Sequence, residues 1–151
     1  MTRSPIRVAV VTAKIGVIRQ MLAGIATLPL ASEREFLADP RMVAAGESFL
    51  RRALEALFDL GRHILAKGFA VPTSDYKAIV RGLLQQGVVD GDLAERLTNM
   101  AGYRNRMVHF YDEVTPGELY EILTRHLRDV ETALATVQSW LAEHPELVDE
   151  A

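Results

Sequence analysis

Hydrophobic positions along this chain recur every three to four residues, which is the period of an amphipathic α-helix. The pattern contains no strand-like alternation, no internal repeat and no low-complexity segment. We therefore predict an all-α fold, an up-and-down bundle of about five helices in a single domain that spans residues 1–151.

Capping residues predict where the first two helices begin. Ser4 and Pro5 form a plausible N-cap and first helical residue, and the helix that they open is predicted to run to about Thr27. A capping box of Ser32 with a Glu three residues later predicts a short helix over Glu33–Ala38.

The remaining helices are predicted from the same kinds of signal, an N-capping side chain at the start or a glycine at the end. Their predicted extents are Asp39-Pro40 to about Lys67 with Gly68 as the stop, Ser74 to Gly87, Asp92 with Glu95 onward through Met107, and Thr115-Pro116 onward through Leu141.

The segment from Ile6 to Leu30 is unusually apolar and has two competing interpretations. A signal peptide is one, because Arg3 and Arg7 precede the apolar stretch. However, Lys14 interrupts the run, so that no uncharged stretch reaches the length of a membrane span. The helical period of the apolar residues favours a structural amphipathic helix and no association with a membrane.

Composition places the chain among ordinary globular proteins, with 49% hydrophobic and 25% charged residues. The absence of cysteine excludes a disulfide framework and thiolate metal sites, and it fits a reducing cytoplasm. A formal net charge of −3 argues against binding nucleic acid over the whole surface, although a local basic cleft is compatible with that value.

The stretch from Arg104 to Tyr111 contains the side chains most suited to chemistry. Arg104 carries a permanent charge and a planar fork of donors that matches phosphate oxygens. His109 can accept and donate protons near neutral pH. Together they suit metal-free cleavage of a phosphodiester, with Asn105 able to hold a phosphate oxygen or to orient Arg104.

The spacing of Arg104 and His109 creates a geometric difficulty. Five positions on a continuous helix correspond to about 500° of rotation, which leaves the two side chains about 140° apart. Two arrangements resolve the difficulty. Either the helix ends near Val108 and His109 swings back, or each side chain works with the motif of a second subunit.

A mechanism follows from the residue types. A histidine removes the proton of a ribose 2′-hydroxyl, the oxygen attacks the adjacent phosphorus, and Arg104 stabilises the charge that develops on the phosphoryl oxygens. The leaving 5′-oxygen needs an acid, which a second histidine or water would supply. This chemistry requires RNA, needs no metal or cofactor and leaves a 2′,3′-cyclic phosphate.

The stretch Gly102–Tyr111 resembles the R-N-x-x-V-H-x-Y signature of the HepT-like toxins within the HEPN ribonuclease superfamily. Tyr76 and the runs Leu83–Asp90 and Leu93–Leu97 resemble the family's third and fourth helices, and Tyr120–Leu123 resembles the start of its last helix. The resemblance extends over about Phe36 to Leu141.

This resemblance implies a homodimer with two Arg/His motifs across a shared cleft, acting as an endoribonuclease toxin beside a nucleotidyltransferase (MNT-type) antitoxin. Arg104 and His109 match the catalytic pair, and Asn105 matches the polar residue after the arginine. Tyr111 matches the tyrosine that the antitoxin modifies with AMP. Arg106 is an additional cation, for which binding of RNA phosphate and simple solvation are equally good expectations.

The other histidines have structural interpretations. His63 shares one polar helical stripe with Asp59 and Glu55. A solvated or interface face is the expectation for this stripe, and a supporting role near the Arg104 cleft is the alternative. His126 is expected in the core or an interface, and His144 at a helix end. None has the spacing of a metal-ligand pair, so no metal is predicted. Two rival functions remain, a non-catalytic partner or substrate-binding subunit of a nucleotidyltransferase and a helical adaptor that uses its apolar first helix.

Overall fold

The computed structural model describes residues 4–109 and 113–150, and most of these residues are helical. The α-helices are α1 (Val8–Ala26), α2 (Glu33–Ala38), α3 (Pro40–Phe69), α4 (Tyr76–Gln85), α5 (Gly91–Val108), α6 (Pro116–Glu121) and α7 (Leu127–Glu143). A π-helical segment, Ile122–His126, joins α6 to α7, and a short 3₁₀-helix, Pro145–Leu147, follows α7. The all-α prediction is therefore confirmed.

Three of the predicted N-caps are present as hydrogen bonds. Ser32 accepts a hydrogen bond from the backbone N–H of Glu35, and Asp39 accepts one from that of Arg41. Thr115 likewise accepts one from the N–H of Glu118. These caps are local in sequence, which is why the sequence predicts them well.

Three predicted helix starts are wrong, and the last predicted helix is interrupted. The first helix begins at Val8, after Ser4 and Pro5, and its N-cap residue Arg7 makes no side-chain cap. The N-caps of α4 and α5 are Asp75 and Asp90, which accept from Ala78 and Leu93, respectively. The final helical region changes to π-helix at Ile122 before it continues to Glu143.

Gly68 does not end α3, which continues to Phe69 and is capped by Ala70 in the left-handed conformation, with φ of 54°. The reason for glycine at this position is a close approach. A Cβ atom there would lie 3.0 Å from Cδ1 of Ile6, so the absence of a side chain lets Ile6 pack against α3.

Ile6 is fixed in extended conformation by the C-terminal segment, which explains the late start of α1. The Ile6 N–H donates to the carbonyl of Leu147 at 2.8 Å, and the N–H of Asp149 donates to the carbonyl of Ile6 at 2.8 Å. Asp149 Oδ1 then accepts from the N–H of Val8, at 2.8 Å, and so caps α1 from a distant part of the chain.

Helix α3 lies at the centre of the bundle and contacts all the other α-helices described here. Its fully buried apolar side chains include Leu50, Leu54, Leu60, Ile64 and Leu65. Because α5 also packs on this helix, the register of α5 against α3 determines where its last two turns lie.

Helix α1 packs along α3, and its buried residues are Val11, Ile18, Met21 and Ile25. By length and composition alone α1 is apolar enough to cross a membrane, a property it shares with core helices of soluble proteins and with signal sequences. The absence of membrane association stays a prediction.

Candidate functional site

Helix α5 places the Arg104 motif at its C-terminal end. Buried Leu93, Leu97 and Met100 fix the first turns of the helix in the core, and the helix ends at Val108. His109 is the C-cap residue, with extended backbone angles φ −108° and ψ 122°. The helix therefore ends near Val108, which is the position required if His109 is to turn back toward Arg104 within one subunit.

The guanidinium of Arg104 is half-buried and held by weak contacts. Its Nη2 lies 3.8 Å from Oε2 of Glu55, and its Nη1 donates to Oδ1 of Asn105 at 3.5 Å. Its buried Nε finds no hydrogen-bond partner within the described part of the chain. Because the contacts of its two terminal nitrogens are long, Arg104 keeps donor capacity for an anion at those nitrogens.

An aromatic stack supports the other side of Arg104. Its Cζ lies 4.9 Å from the centroid of the Tyr76 ring, a cation–π geometry. Tyr76 in turn stacks on Phe58, with centroids 4.6 Å apart and planes tilted by 16°. Burial raises the pKa of Tyr76, so its hydroxyl is neutral at physiological pH.

Arg106 has a different environment from Arg104. Its Nη1 and Nη2 each lie 2.7 Å from a carboxylate oxygen of Glu118, and Nη2 also donates to the carbonyl of Glu113 at 3.3 Å. The hydrogen bonds from Arg106 are the main reason that the pKa of Glu118 lies below its ordinary value. This pair joins the end of α5 to α6.

His109 is exposed and lines a cavity of about 200 Å³ together with Glu47, Arg106 and Val114. Apolar side chains of Met107 and Leu119 complete its walls, with Glu113 at the edge. The imidazole therefore lies beside an open, partly polar space in which a bound group would meet it.

A row of charged residues on α3 connects the His109 cavity to Arg104. Arg51 donates to Glu47 at 3.2 Å and to Glu55 at 2.9 Å, one turn away on either side. Glu47 lines the cavity, and Glu55 approaches Arg104. Glu47 and Glu55 are about 12 Å apart along the helix axis, from eight residues of 1.5 Å rise. Arg104 and His109 therefore lie along one face of the bundle.

Sequence reasoning did not find the partners of the motif. Glu118 was not among its candidates, Glu55 entered only as a member of the His63 stripe, and Tyr76 entered only as part of a family resemblance. The i, i+4 spacing of Glu47, Arg51 and Glu55 is visible in the sequence, but such rows are common on solvated helix faces. Only the packing of α5 on α3 shows that this row faces Arg104.

The remaining histidines have structural contacts. His63 Nε2 accepts a hydrogen bond from the backbone N–H of Arg7 at 3.0 Å. His144 is the C-cap residue of α7, as predicted, and its Nδ1 lies 2.8 Å from the carbonyl of Trp140. His126 is half-buried, 6.3 Å from the ring of Tyr103.

Tyr111, the predicted modification site, lies outside the described residues. Within residues 4–109 and 113–150, no group of three or more His, Asp or Glu side chains is arranged to hold a metal ion. The roles predicted for Arg104, Asn105, Arg106 and His109 stay predictions at this point, now with defined surroundings.

A family model described as "Ribonuclease HepT-like" matches residues 18–137 of this chain. The chain is 25% identical over 96 residues to a tRNA nuclease HepT from Aphanizomenon flos-aquae, covering 63% of this chain and 65% of that protein. It is 28% identical over 91 residues to an mRNA nuclease HepT from Shewanella oneidensis, covering 60% and 68%, respectively.

The fold is similar to that of a tri-AMPylated Shewanella oneidensis HEPN toxin solved in complex with an MNT antitoxin. The TM-score is 0.79, with 22% sequence identity, and the match covers 86% of this chain and 97% of that chain. At this level of identity the likeness concerns the fold, and it agrees with the family that the sequence comparison indicates.

Proposed function

Because this chain belongs to the HepT-like ribonuclease family, we propose that it is a metal-independent endoribonuclease toxin in which Arg104, Asn105 and His109 carry the reaction. The observation that supports these roles most directly is the state of Arg104. Its guanidinium is half-buried beside Glu55 and the Tyr76 ring, yet the contacts of its terminal nitrogens, at 3.5 Å to Asn105 and 3.8 Å to Glu55, are long enough to leave donor capacity for a phosphate.

The proposed reaction cleaves RNA by internal attack. His109 takes the 2′-hydroxyl proton, the 2′-oxygen bonds to phosphorus, and the bond to the 5′-oxygen breaks. That oxygen receives a proton, which gives a 2′,3′-cyclic phosphate and a 5′-hydroxyl. Arg104 donates to the phosphoryl oxygens as their charge grows, with Asn105 keeping the guanidinium in place.

The homodimer is part of the proposal because one motif supplies one histidine. The reaction needs a base at the 2′-oxygen and an acid at the 5′-oxygen. Two copies of the chain that share a cleft would bring a second imidazole for the second proton. A dimer also removes the need for Arg104 and His109 of one protomer to reach the same phosphate oxygen.

The proposed partner is a nucleotidyltransferase antitoxin, which transfers AMP to Tyr111. A related toxin was solved in AMPylated form with an MNT antitoxin. An added AMP two residues after His109 would place negative charge and bulk beside the site, and it would repel RNA phosphates. We place this system in the cytoplasm, which agrees with a chain that has no cysteine.

The test of the catalytic proposal is cleavage of synthetic RNA by purified protein in excess EDTA. We expect wild type to cleave and Arg104→Ala and His109→Ala to lose at least about 100-fold in rate, because each removes a group acting in the transition state. Arg128→Ala, at an exposed position of α7, is the matched control and should cleave as wild type does.

Three results would contradict the proposal. Cleavage that disappears in EDTA would remove the metal-free mechanism, and cleavage of an RNA with 2′-deoxyribose at the scissile site would remove the internal attack. Inactive wild type that forms a stable complex with a nucleotidyltransferase would favour a non-catalytic partner instead.

The regulatory proposal is tested by co-expression with a nucleotidyltransferase from the same gene neighbourhood. Intact mass measurement should show additions of the size of AMP on wild type and none on Tyr111→Phe, which lacks the acceptor oxygen. Additions that persist in Tyr111→Phe would place the modification on another residue.

A further inference from the structure

Glu55 lies between two arginines at the candidate site. Its Oε1 accepts a hydrogen bond from Nη1 of Arg51 at 2.9 Å, and its Oε2 lies 3.8 Å from Nη2 of Arg104. The Glu55 side chain is about one-third exposed, so the carboxylate remains partly hydrated. Arg51 fixes the carboxylate, and the carboxylate then limits where the Arg104 guanidinium can lie.

Tyr76 limits the same guanidinium from another direction. Its ring lies 4.9 Å from Arg104 Cζ and is stacked on Phe58, which is 2% exposed. The Tyr76 ring therefore cannot move freely away from Arg104. A carboxylate and an aromatic face together hold the charge of Arg104 without using most of its donors.

We propose that Glu55 and Tyr76 are positioning residues that aim the guanidinium of Arg104 at the scissile phosphate. This inference depends on the proposed ribonuclease function. The long distance between Glu55 and Arg104 is important, because a bidentate pair at 2.7 Å, such as Arg106 makes with Glu118, would use the donors that a phosphate needs.

Positioning of Arg104 and simple repulsion of RNA predict opposite changes in the cleavage rate of Glu55→Gln. A carboxylate beside an RNA site repels phosphate, so if Glu55 acts only through its charge, removing that charge should strengthen RNA binding and speed cleavage. If Glu55 positions Arg104, kcat should fall by about 10- to 100-fold, because a small misplacement of a reacting group costs that much. KM should stay the same or decrease.

Asp59→Asn is the matched control. Asp59 lies one turn beyond Glu55 on α3 and also contacts two cations, Lys14 and Arg62. Its substitution removes the same charge from the same face without touching Arg104. We expect Asp59→Asn to keep the wild-type kcat. An equal fall in both variants, or an unchanged or faster Glu55→Gln, would overturn the role of Glu55.

Tyr76 is tested with two substitutions that separate the ring from the hydroxyl. Tyr76→Phe keeps the aromatic face and should keep kcat, whereas Tyr76→Leu should lower kcat by about 10-fold at unchanged RNA affinity. Thermal melting of both variants establishes that they are folded at the assay temperature. Equal kcat for Tyr76→Leu and wild type would remove Tyr76 from the proposal.

Hydrogen exchange of the Arg104 side chain, measured without RNA, separates failure of this inference from failure of the proposed function. The Nε–H of Arg104, assigned by its loss in Arg104→Ala, should exchange slowly with water in wild type and in Asp59→Asn, and faster in Glu55→Gln. If wild type cleaves RNA, the kcat values of the Glu55 and Tyr76 variants decide whether these residues position Arg104. If neither wild type nor any variant cleaves RNA, the ribonuclease proposal fails. In that case the exchange rate still tests the positioning, and an unchanged rate in Glu55→Gln would overturn the role of Glu55.

Discussion

Arg104 and Arg106 lie two residues apart on the same helix, yet their surroundings differ in kind. Arg106 makes two 2.7 Å contacts with Glu118 and a third with the carbonyl of Glu113. Arg104 lies 3.8 Å from Glu55 and over the ring of Tyr76. Their side chains are similarly exposed, 25% and 31%, so burial does not explain the difference.

The helix geometry explains why the two arginines separate. Two positions correspond to about 200° of rotation, so one side chain faces α3 and α4 while the other faces α6. The two arginines differ in whether a protein carboxylate occupies their terminal nitrogens, as Glu118 does for Arg106 at 2.7 Å and Glu55 does not for Arg104 at 3.8 Å. Binding of RNA phosphate by Arg106 stays a prediction, and it would have to compete with Glu118.

Of the substitutions that test the difference between the two arginines, Arg104→Lys is expected to have the largest effect on cleavage. Lysine keeps the charge but lacks the planar fork, so kcat should fall by about 100-fold with little change in melting temperature. Arg106→Lys should do the reverse, lowering the melting temperature and leaving most of the cleavage. RNA cleavage and thermal melting of the two variants measure both effects. Similar losses of kcat in both would break the distinction.

The next largest effect concerns Glu118, the partner of Arg106. Glu118→Gln should lower the free energy of unfolding by about 0.5–1 kcal/mol in urea at pH 7, a modest value because the pair is partly solvated. Its pKa is lowered in the folded protein, so its contribution is complete above the ordinary value of 4.5 and is lost as the pH falls through the lowered pKa.

The difference in unfolding free energy between wild type and Glu118→Gln should therefore shrink as the pH falls below about 4.5. Asp39 also has a lowered pKa, through hydrogen bonds from Arg41, and it is the same in both proteins. Its contribution cancels in the difference. A difference that is constant down to pH 3 would show that the Arg106–Glu118 pair does not stabilise the fold.

The smallest expected effect concerns His63, a histidine with a structural contact rather than a proposed catalytic role, and the pH dependence of the unfolding free energy. His63 accepts a hydrogen bond from the backbone N–H of Arg7, and its ring must be neutral to do so. Its pKa is lowered, chiefly by burial and then by the charges of Lys67 and Arg7. The unfolded chain then binds more protons just below the ordinary value of 6.5, so stability should fall as the pH drops through 6.5 toward the lowered pKa.

His63→Gln removes this titration and should flatten the pH dependence of the unfolding free energy between pH 5 and 7. We expect a change of a few tenths of a kcal/mol, because the side chain is partly exposed. RNA cleavage by this variant should match that of wild type at pH 7. A pH dependence identical to that of wild type would show that protonation of His63 is not coupled to folding.

The sequence determined the features that depend on neighbouring residues. The helical period and the caps at Ser32, Asp39 and Thr115 act over three or four positions, so the helices that they begin could be predicted. The Arg104–His109 motif was likewise visible, because its residue types are close together in the chain.

The tertiary structure alone decided what the motif contacts. The Glu55–Arg104 approach joins residues 49 positions apart, and the Asp149 bond to Val8 joins the two ends of the chain. Such pairs depend on how whole helices pack, so no local pattern contains them. The start of α1 and the environment of Arg104 follow from that packing, because only the folded bundle brings their partners within reach.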